Sequence, residues 1–115
     1  MSWIDNIRLA VYRRVPALEN NFNLCNDLIE DAFRSIMTYS KADSYKKEWD
    51  SVLVRCVAML YNNIGTEGSI SRSSIDVSDN YDLTDILASF IVANIPQYIK
   101  PVGYKYKEDR FKLPD

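Results

Sequence analysis

Four aspartates recur at three-residue intervals in the second half of the chain: Asp76, Asp79, Asp82 and Asp85. Carboxylate oxygens are the ligands that Ca²⁺ and Mg²⁺ prefer, so an oxygen-liganded cation is the chemistry that such a series would support. An EF-hand loop, however, needs alternating Asp or Asn positions, then a glycine, and a final glutamate. The spacing of Asp79, Asn80 and Asp82 does not fit that pattern, and we therefore predict no metal site and no cofactor.

Nucleophilic catalysis also lacks its usual residues. The chain contains no histidine, which excludes Ser-His-Asp and Cys-His catalysis, histidine-ligated zinc and an imidazole pH switch. The two cysteines, Cys25 and Cys56, are too few for a disulfide framework or a thiolate metal site. Both lie among apolar residues in helix-like stretches, and we expect them to be small core side chains.

The remaining candidates for chemistry are carboxylates and a glycine-containing loop. Asp27, Glu30, Asp31 and Arg34 share one helix face, which is typical of a solvated surface rather than of an acid–base pair. Gly65 and Gly68 precede a serine-rich segment, but no Gly-Lys-Ser or Gly-Lys-Thr follows them, so the phosphate-loop signature is absent. We therefore predict no catalytic residue and no enzyme, and a chain that works through its surfaces.

Length and composition predict one folded domain. The chain has 115 residues, of which 47% are hydrophobic and 26% charged, a typical globular balance. A net charge of -2 and a pI near 5.1 disfavour a general nucleic-acid binder held by its phosphate contacts. No signal-like opening and no run of eighteen apolar residues occurs, so we expect no membrane association and a reducing cytoplasm.

Hydrophobic periodicity predicts an all-α fold, a small bundle of four helices. Ser2 and Asp5 resemble a capping box for the first helix, and Pro16 ends it. A broad apolar stripe defines the second helix, whereas the third is apolar nearly all round and belongs at the centre of the fold. Asp82 is the expected cap of the last helix, and Pro96 follows its end. The predicted helices lie near residues 3–14, 23–39, 47–64 and 83–95.

The connection between the last two predicted helices is the longest in the chain. Residues 65–82 are rich in serine and aspartate, and Ile75 and Val77 alternate with polar residues. Such alternation favours a short β-hairpin or an extended loop. We therefore predict a hairpin-like, serine-rich loop that projects from the bundle.

The chain ends in a basic and aromatic segment. Residues 100–115 carry five basic and three acidic residues, and Tyr104-Lys105-Tyr106-Lys107 alternates with the period of a strand. Such a segment is too short to form a second core, so we expect an extended arm (100–115) beside a helical domain (1–99). It docks on a partner, either by strand addition or through its aromatic side chains, or else lies as a disordered terminus over its own domain. The residues assigned to partner binding are Tyr104, Lys105, Tyr106, Lys107, Arg110 and Phe111.

The order of these features resembles that of the small head–tail connector proteins of tailed bacteriophages. The resemblance covers about residues 5–95 and is carried by Leu24–Tyr39, by Met-Leu-Tyr-Asn-Asn-Ile-Gly-Thr-Glu-Gly at 59–68, and by Ser-Ile-Ser-Arg-Ser followed by Val-Ser-Asp-Asn-Tyr at 77–81. Its most specific part is Tyr-Asn-x-x-Gly-x-Glu-Gly leading into the serine-rich loop. The last helix is longer and more apolar than in the family, and the tail after Pro101 matches no family motif.

The resemblance implies a structural protein of the virion that joins a ring, usually a dodecamer, beneath the portal. Its implied partners are the portal protein, neighbouring copies of itself, a downstream neck, stopper or tail protein, and double-stranded DNA that passes without sequence-specific binding. A ring built head to tail needs two different surfaces on each subunit, which a loop and an arm supply. We assign Glu67, Ser71, Arg72, Asp76 and Asp79 to the channel or to contacts between subunits. A channel lined by this acidic segment would repel phosphate groups and let DNA slide.

Two assignments stay open at this point. The tail is the candidate for portal contact. The conformational entropy that it would lose on docking would be offset by burial of its aromatic side chains. The alternative function is a small cytosolic helical regulator that binds a single protein partner, which predicts neither a ring nor affinity for capsids.

Overall fold

The computed structural model describes residues 2–67, 77–107 and 109–114, and for residues 64–67 and 77–85 it describes the backbone alone. Within these ranges the protein is an all-α bundle of four helices, as predicted. They are α1 (Trp3–Arg14), α2 (Phe22–Ser40), α3 (Asp50–Glu67) and α4 (Val77–Asn94), with 3₁₀ turns at Pro16–Asn20 and Lys47–Trp49. The described residues contain no helix both long enough and apolar enough to cross a membrane.

Local sequence sets the boundaries of the first two helices. The Ser2 side chain accepts a hydrogen bond from the Asp5 amide, which confirms the predicted cap of α1. Pro16 then begins a 3₁₀ turn, and the Asn21 side chain caps α2 by accepting from the Leu24 amide at 3.2 Å. Helix α2 ends at Ser40, and Lys41 is its C-cap: the φ of Lys41 is 61°, which is left-handed, and its amide donates to the Met37 carbonyl.

The core lies between α2 and α3, each of which packs on all three other helices. Cys25 and Cys56 are fully buried within it, as predicted. Burial raises the pKa of the Cys56 thiol to about 12 and also raises that of Cys25. The central position of α3 agrees with its nearly all-round apolar sequence.

An aromatic cluster closes one end of the core. The Phe33 ring lies 6.3 Å from the Trp3 ring and 5.3 Å from the Tyr45 ring, measured between centroids. The Tyr45 ring in turn lies 5.6 Å from the Trp49 ring. The Trp3 indole and the Tyr45 hydroxyl both donate to Asp50 Oδ1, at 3.0 and 2.7 Å, so the polar atoms of the cluster are satisfied. This cluster joins α1, α2 and the start of α3.

The bounds of α3 and α4 differ from the prediction. Helix α3 runs to Glu67 rather than ending near Ile64, because an asparagine or glycine near a helix end costs only about 1 kcal/mol. Helix α4 begins at Val77 rather than near Leu83, so Asp82 lies inside it and is not its cap. The alternation of only two apolar residues is too short to favour a strand here. The later turns of α4 pack on the core, and this packing stabilises the helix. The rest of the predicted hairpin-like loop, residues 68–76, lies outside the described residues.

Burial along α4 depends on the position of each side chain around the helix. Leu87, Ile91 and the adjacent Ile95 are buried and Phe90 is half-buried, whereas Ile86 is 57% exposed. The buried positions recur every four residues, so one narrow ridge of the helix faces the bundle. Ile86 lies off that ridge and is not buried by the described residues.

Candidate interaction surface

The C-terminal segment, residues 96–107 and 109–114, lies across the end of α2. The last carbonyl groups of any helix have no partner within the helix and must find one elsewhere. Here the Tyr98 amide donates to the Ser40 carbonyl at 2.8 Å, and the Gln97 side-chain amide donates to the Tyr39 carbonyl at 2.9 Å. The chain that follows α4 therefore completes the end of α2.

Arg110 supplies the strongest of these contacts. Its Nη2 donates to the Met37 carbonyl at 2.6 Å and its Nε to the Ala42 carbonyl at 3.1 Å. The planar guanidinium fits two acceptors at once, and its positive charge lies at the negative end of the helix dipole. Arg110 thus acts as a C-terminal cap of α2 from 70 residues further along the chain.

Asp43 is the second attachment point of the segment. Its Oδ2 accepts from Lys100 Nζ at 3.2 Å and from the Tyr104 hydroxyl. The hydrogen bond from Tyr104 and the nearby Lys100 ammonium hold the pKa of the Asp43 carboxyl below its usual value. The same hydrogen bond raises the pKa of Tyr104, because a phenolate could not donate to the carboxylate. Asp43 therefore stays ionised at neutral pH and fixes the middle of the segment.

Aromatic rings and cations stack along the segment. The Tyr104 and Tyr106 rings meet edge to face at 5.2 Å, and Lys100 Nζ lies 4.5 Å from the Tyr104 centroid. The Arg110 guanidinium lies 4.0 Å from the Tyr106 centroid and 4.7 Å from that of Phe111. Contacts of this kind contribute about 0.5–1 kcal/mol each at exposed sites. They hold the aromatic side chains in one arrangement.

Two apolar side chains of this segment are fully solvated. Ile99 is 95% and Val102 106% exposed, on either side of the anchored Lys100. Exposed apolar groups on a backbone that is already held in place can be buried by a partner protein at a small cost in conformational entropy. Sequence reasoning missed both residues. The available signal was their position beside Pro101 and after Pro96, in a stretch where a helix is disfavoured: Ile99 precedes Pro101 by two residues and Val102 follows it directly.

The predicted binding residues of the tail come together in the structure. Tyr104, Tyr106, Arg110 and Phe111 form one stacked group, and the exposed Lys105 and Lys107 flank Tyr106 in sequence. The arrangement differs from the expected arm, because these residues contact the helical domain and residues 104–107 are not a strand. The physical reason is that α2 ends with unsatisfied carbonyl groups which the tail is long enough to reach.

The second predicted group, assigned to a channel or loop, is located only in part. Glu67 ends α3 and Asp79 lies in the first turn of α4. Ser71, Arg72 and Asp76 lie outside the described residues. No three acidic or cysteine side chains in the described part of the chain lie close enough together to hold a metal ion.

We expect Arg110→Ala to lower the free energy of unfolding by about 2 kcal/mol, because two charge-assisted hydrogen bonds to backbone carbonyls are lost. Urea denaturation followed by far-UV circular dichroism measures the change. Lys112→Ala, at an exposed cation of the same tail, is the control and should shift stability by less than about 0.5 kcal/mol. Equal midpoints for the two variants would show that Arg110 does not stabilise α2.

Comparisons with protein-family models, with curated proteins and with solved structures gave no match for this chain.

Proposed function

We propose that the protein is a head–tail connector of a tailed bacteriophage, made in the host cytoplasm and incorporated into the virion. It assembles as a ring under the portal protein, extends the DNA channel and offers its other face to the next neck or tail protein. The ordered sequence features described above and the small all-α bundle support this proposal. So does an inventory of side chains suited to surfaces rather than to catalysis.

The exposed apolar pair Ile99 and Val102 is the observation that carries the proposal. Both side chains project from a backbone that Tyr98 and Arg110 attach to the end of α2 and that Lys100 attaches to Asp43. A surface that is ordered before binding loses less conformational entropy on association than a disordered arm does. We assign this surface, together with Tyr104, to the portal contact.

The acidic residues around the α3–α4 connection are proposed to face the channel. Glu67 ends α3, and Asp79, Asp82 and Asp85 follow at three-residue intervals in α4. Negative charge along a channel repels the phosphates of double-stranded DNA and prevents it from sticking during passage. No base-specific contact is required of such a surface.

The test replaces both exposed apolar residues, in the variant Ile99→Ser/Val102→Ser. We expect it to lose at least about 90% of attachment to portal-bearing, DNA-filled tailless heads of the matched phage, because it lacks the apolar centre of the contact. Electron microscopy of the portal vertex shows whether a ring of density is added. Its thermal unfolding should match that of the wild type, since neither side chain is buried.

Val92→Ser is the matched control, because Val92 is also an exposed valine, at 45%, but lies on α4. It should attach like the wild type. A wild-type protein that leaves the vertex bare would overturn the connector proposal and favour the cytosolic helical regulator. Normal attachment of the Ile99→Ser/Val102→Ser variant would move the portal contact to another surface.

A further inference from the structure

A groove runs between α1 and α3 on a side of the bundle that the proposed portal contact does not use. It consists of two adjoining hollows of about 320 and 340 Å³ that share Arg14 and Arg55. The described lining of the first is largely apolar, with Ile7, Ala10 and Val54. Met59 and Phe90 line the second. The side chains of a helix from another protein molecule can pack against these apolar residues.

The two arginines at the centre of this groove form no ion pair with any described residue. Both are exposed, and no carboxylate among the described residues lies within salt-bridge distance of either. Asp50 also lines the groove, but its Oδ1 already accepts hydrogen bonds from Trp3 and Tyr45. Within the described part of the chain, the groove therefore presents two arginines without an ion-pair partner, next to the apolar residues of its first hollow.

The outer face of α2 has the opposite character. Asp27, Glu30 and Asp31 are exposed there, on the side of α2 turned away from its buried stripe. Burial and the charges of Asp27 and Glu30 raise the pKa of Asp31, so the carboxylates repel one another. The next cation on this helix, Arg34, packs against the Phe111 ring at 5.5 Å.

We infer that the groove around Arg14 and Arg55 binds the acidic face of α2 of a second copy of this chain. The described residues that line the groove belong to α1, α3 and α4, and none belongs to α2, so we place the contact between two molecules. A contact between unlike surfaces is heterologous, and repetition of it gives a closed ring when the rotation between copies allows. As the contact between neighbours in the ring, this inference rests on the proposed function.

A second copy fits the groove better than DNA does. Contact with a phosphate backbone would not stabilise the complex by burying the apolar residues of the groove. Contact with a helix would, because the helix removes their apolar surface from water. The net charge of -2 also opposes DNA binding over the molecule as a whole. Two arginines matched by two or three carboxylates form a contact that excludes wrong partners and sets the register of the copies.

The test uses charge reversal on each surface separately. Arg14→Glu/Arg55→Glu changes the groove, and Asp27→Lys/Asp31→Lys changes the acidic face. Sedimentation velocity of the wild type at low salt, up to about 1 mM, should show association that weakens as salt is added. Each variant alone should associate at least about tenfold more weakly, because like charges then face each other. An equimolar mixture of the two should associate again, because every contact in it pairs opposite charges.

Arg13→Glu/Lys47→Glu is the control, since it makes the same charge change at two exposed positions outside the groove lining. It should associate like the wild type. A wild type that stays monomeric up to about 1 mM, or a mixture that is not restored, would overturn the inference. So would a groove variant that self-associates normally but loses affinity for a duplex DNA oligonucleotide.

Attachment to portal-bearing heads is measured on the same proteins and separates the two proposals. If the protein attaches to the heads but neither self-associates in solution nor regains association in the mixture, this contact is refuted and the connector proposal stands. Self-association that is restored in the mixture, without attachment to the heads, would support this contact and refute the connector proposal.

Discussion

Deletion of residues 101–115 is expected to lower the free energy of unfolding by about 3 kcal/mol while leaving a cooperative transition. The deletion removes the two hydrogen bonds of Arg110, the Tyr104 bond to Asp43 and the packing of Phe111 and Leu113 on the core. Charge-assisted hydrogen bonds contribute about 1.5–3 kcal/mol each, and the conformational entropy regained by the freed tail offsets part of that total. Urea denaturation measures the difference.

Lys105→Ala/Lys107→Ala is the control for this deletion, because both lysines are exposed. It removes tail charge but leaves the attachment points in place, and should cost less than about 0.5 kcal/mol. A truncated chain as stable as the full chain would show that the tail is an independent arm. Because the deletion changes stability as well as surface, loss of capsid attachment by the truncated chain would not by itself locate the portal contact.

The second large effect is expected for Phe33→Ala, at about 4 kcal/mol of lost unfolding free energy. Phe33 is fully buried in α2, and its ring contacts those of Trp3 and Tyr45. Removal of the ring leaves a cavity where α1, α2 and the start of α3 meet, and also ends two aromatic contacts. Urea unfolding, followed by the fluorescence of Trp3 and Trp49, reports on this cluster directly.

Phe22→Ala provides the matched control, since Phe22 begins the same helix but is 52% exposed. It should lower the free energy of unfolding by about 1 kcal/mol or less. Most of this loss comes from the contact between the Phe22 ring and the Arg8 guanidinium, which lies 4.6 Å from the ring centroid. Phe33→Leu should cost about half as much as Phe33→Ala, because leucine fills part of the volume. Similar losses for Phe33→Ala and Phe22→Ala would place the cluster outside the cooperative core.

The helices could be predicted from sequence where local signals agreed with the hydrophobic pattern. Ser2 and Asp5 begin α1, Pro16 follows its end, and the stripe through Leu28, Ala32 and Ile36 identifies the buried face of α2. These signals act over one or two helical turns, so they hold whatever the rest of the chain does. The predicted start of α4 was wrong, because residues 77–82 have only a weak hydrophobic pattern. The packing of the later turns of α4 decides the structure there.

The candidate surface was predictable only in its residue types. Tyrosines, lysines and Arg110 in the tail indicate a contact surface, but nothing local shows that Arg110 reaches the carbonyls of Met37 and Ala42. That contact joins residues 73 and 68 positions apart, and depends on where the end of α2 lies in the fold. The exposure of Ile99 and Val102 follows from the same docking, which is why the sequence pattern did not single them out.

The burial of both thiols has a practical consequence for spectroscopy. Maleimides and spin-label reagents attack the thiolate, and with a pKa near 12 the Cys56 thiol has almost no thiolate at neutral pH. Cys25 is fully buried as well and its pKa is also raised. A cysteine introduced at an exposed position outside the proposed contacts, such as Val92, would therefore be modified selectively in the otherwise natural chain. Distances between labelled copies could then be followed through assembly without replacing any core residue.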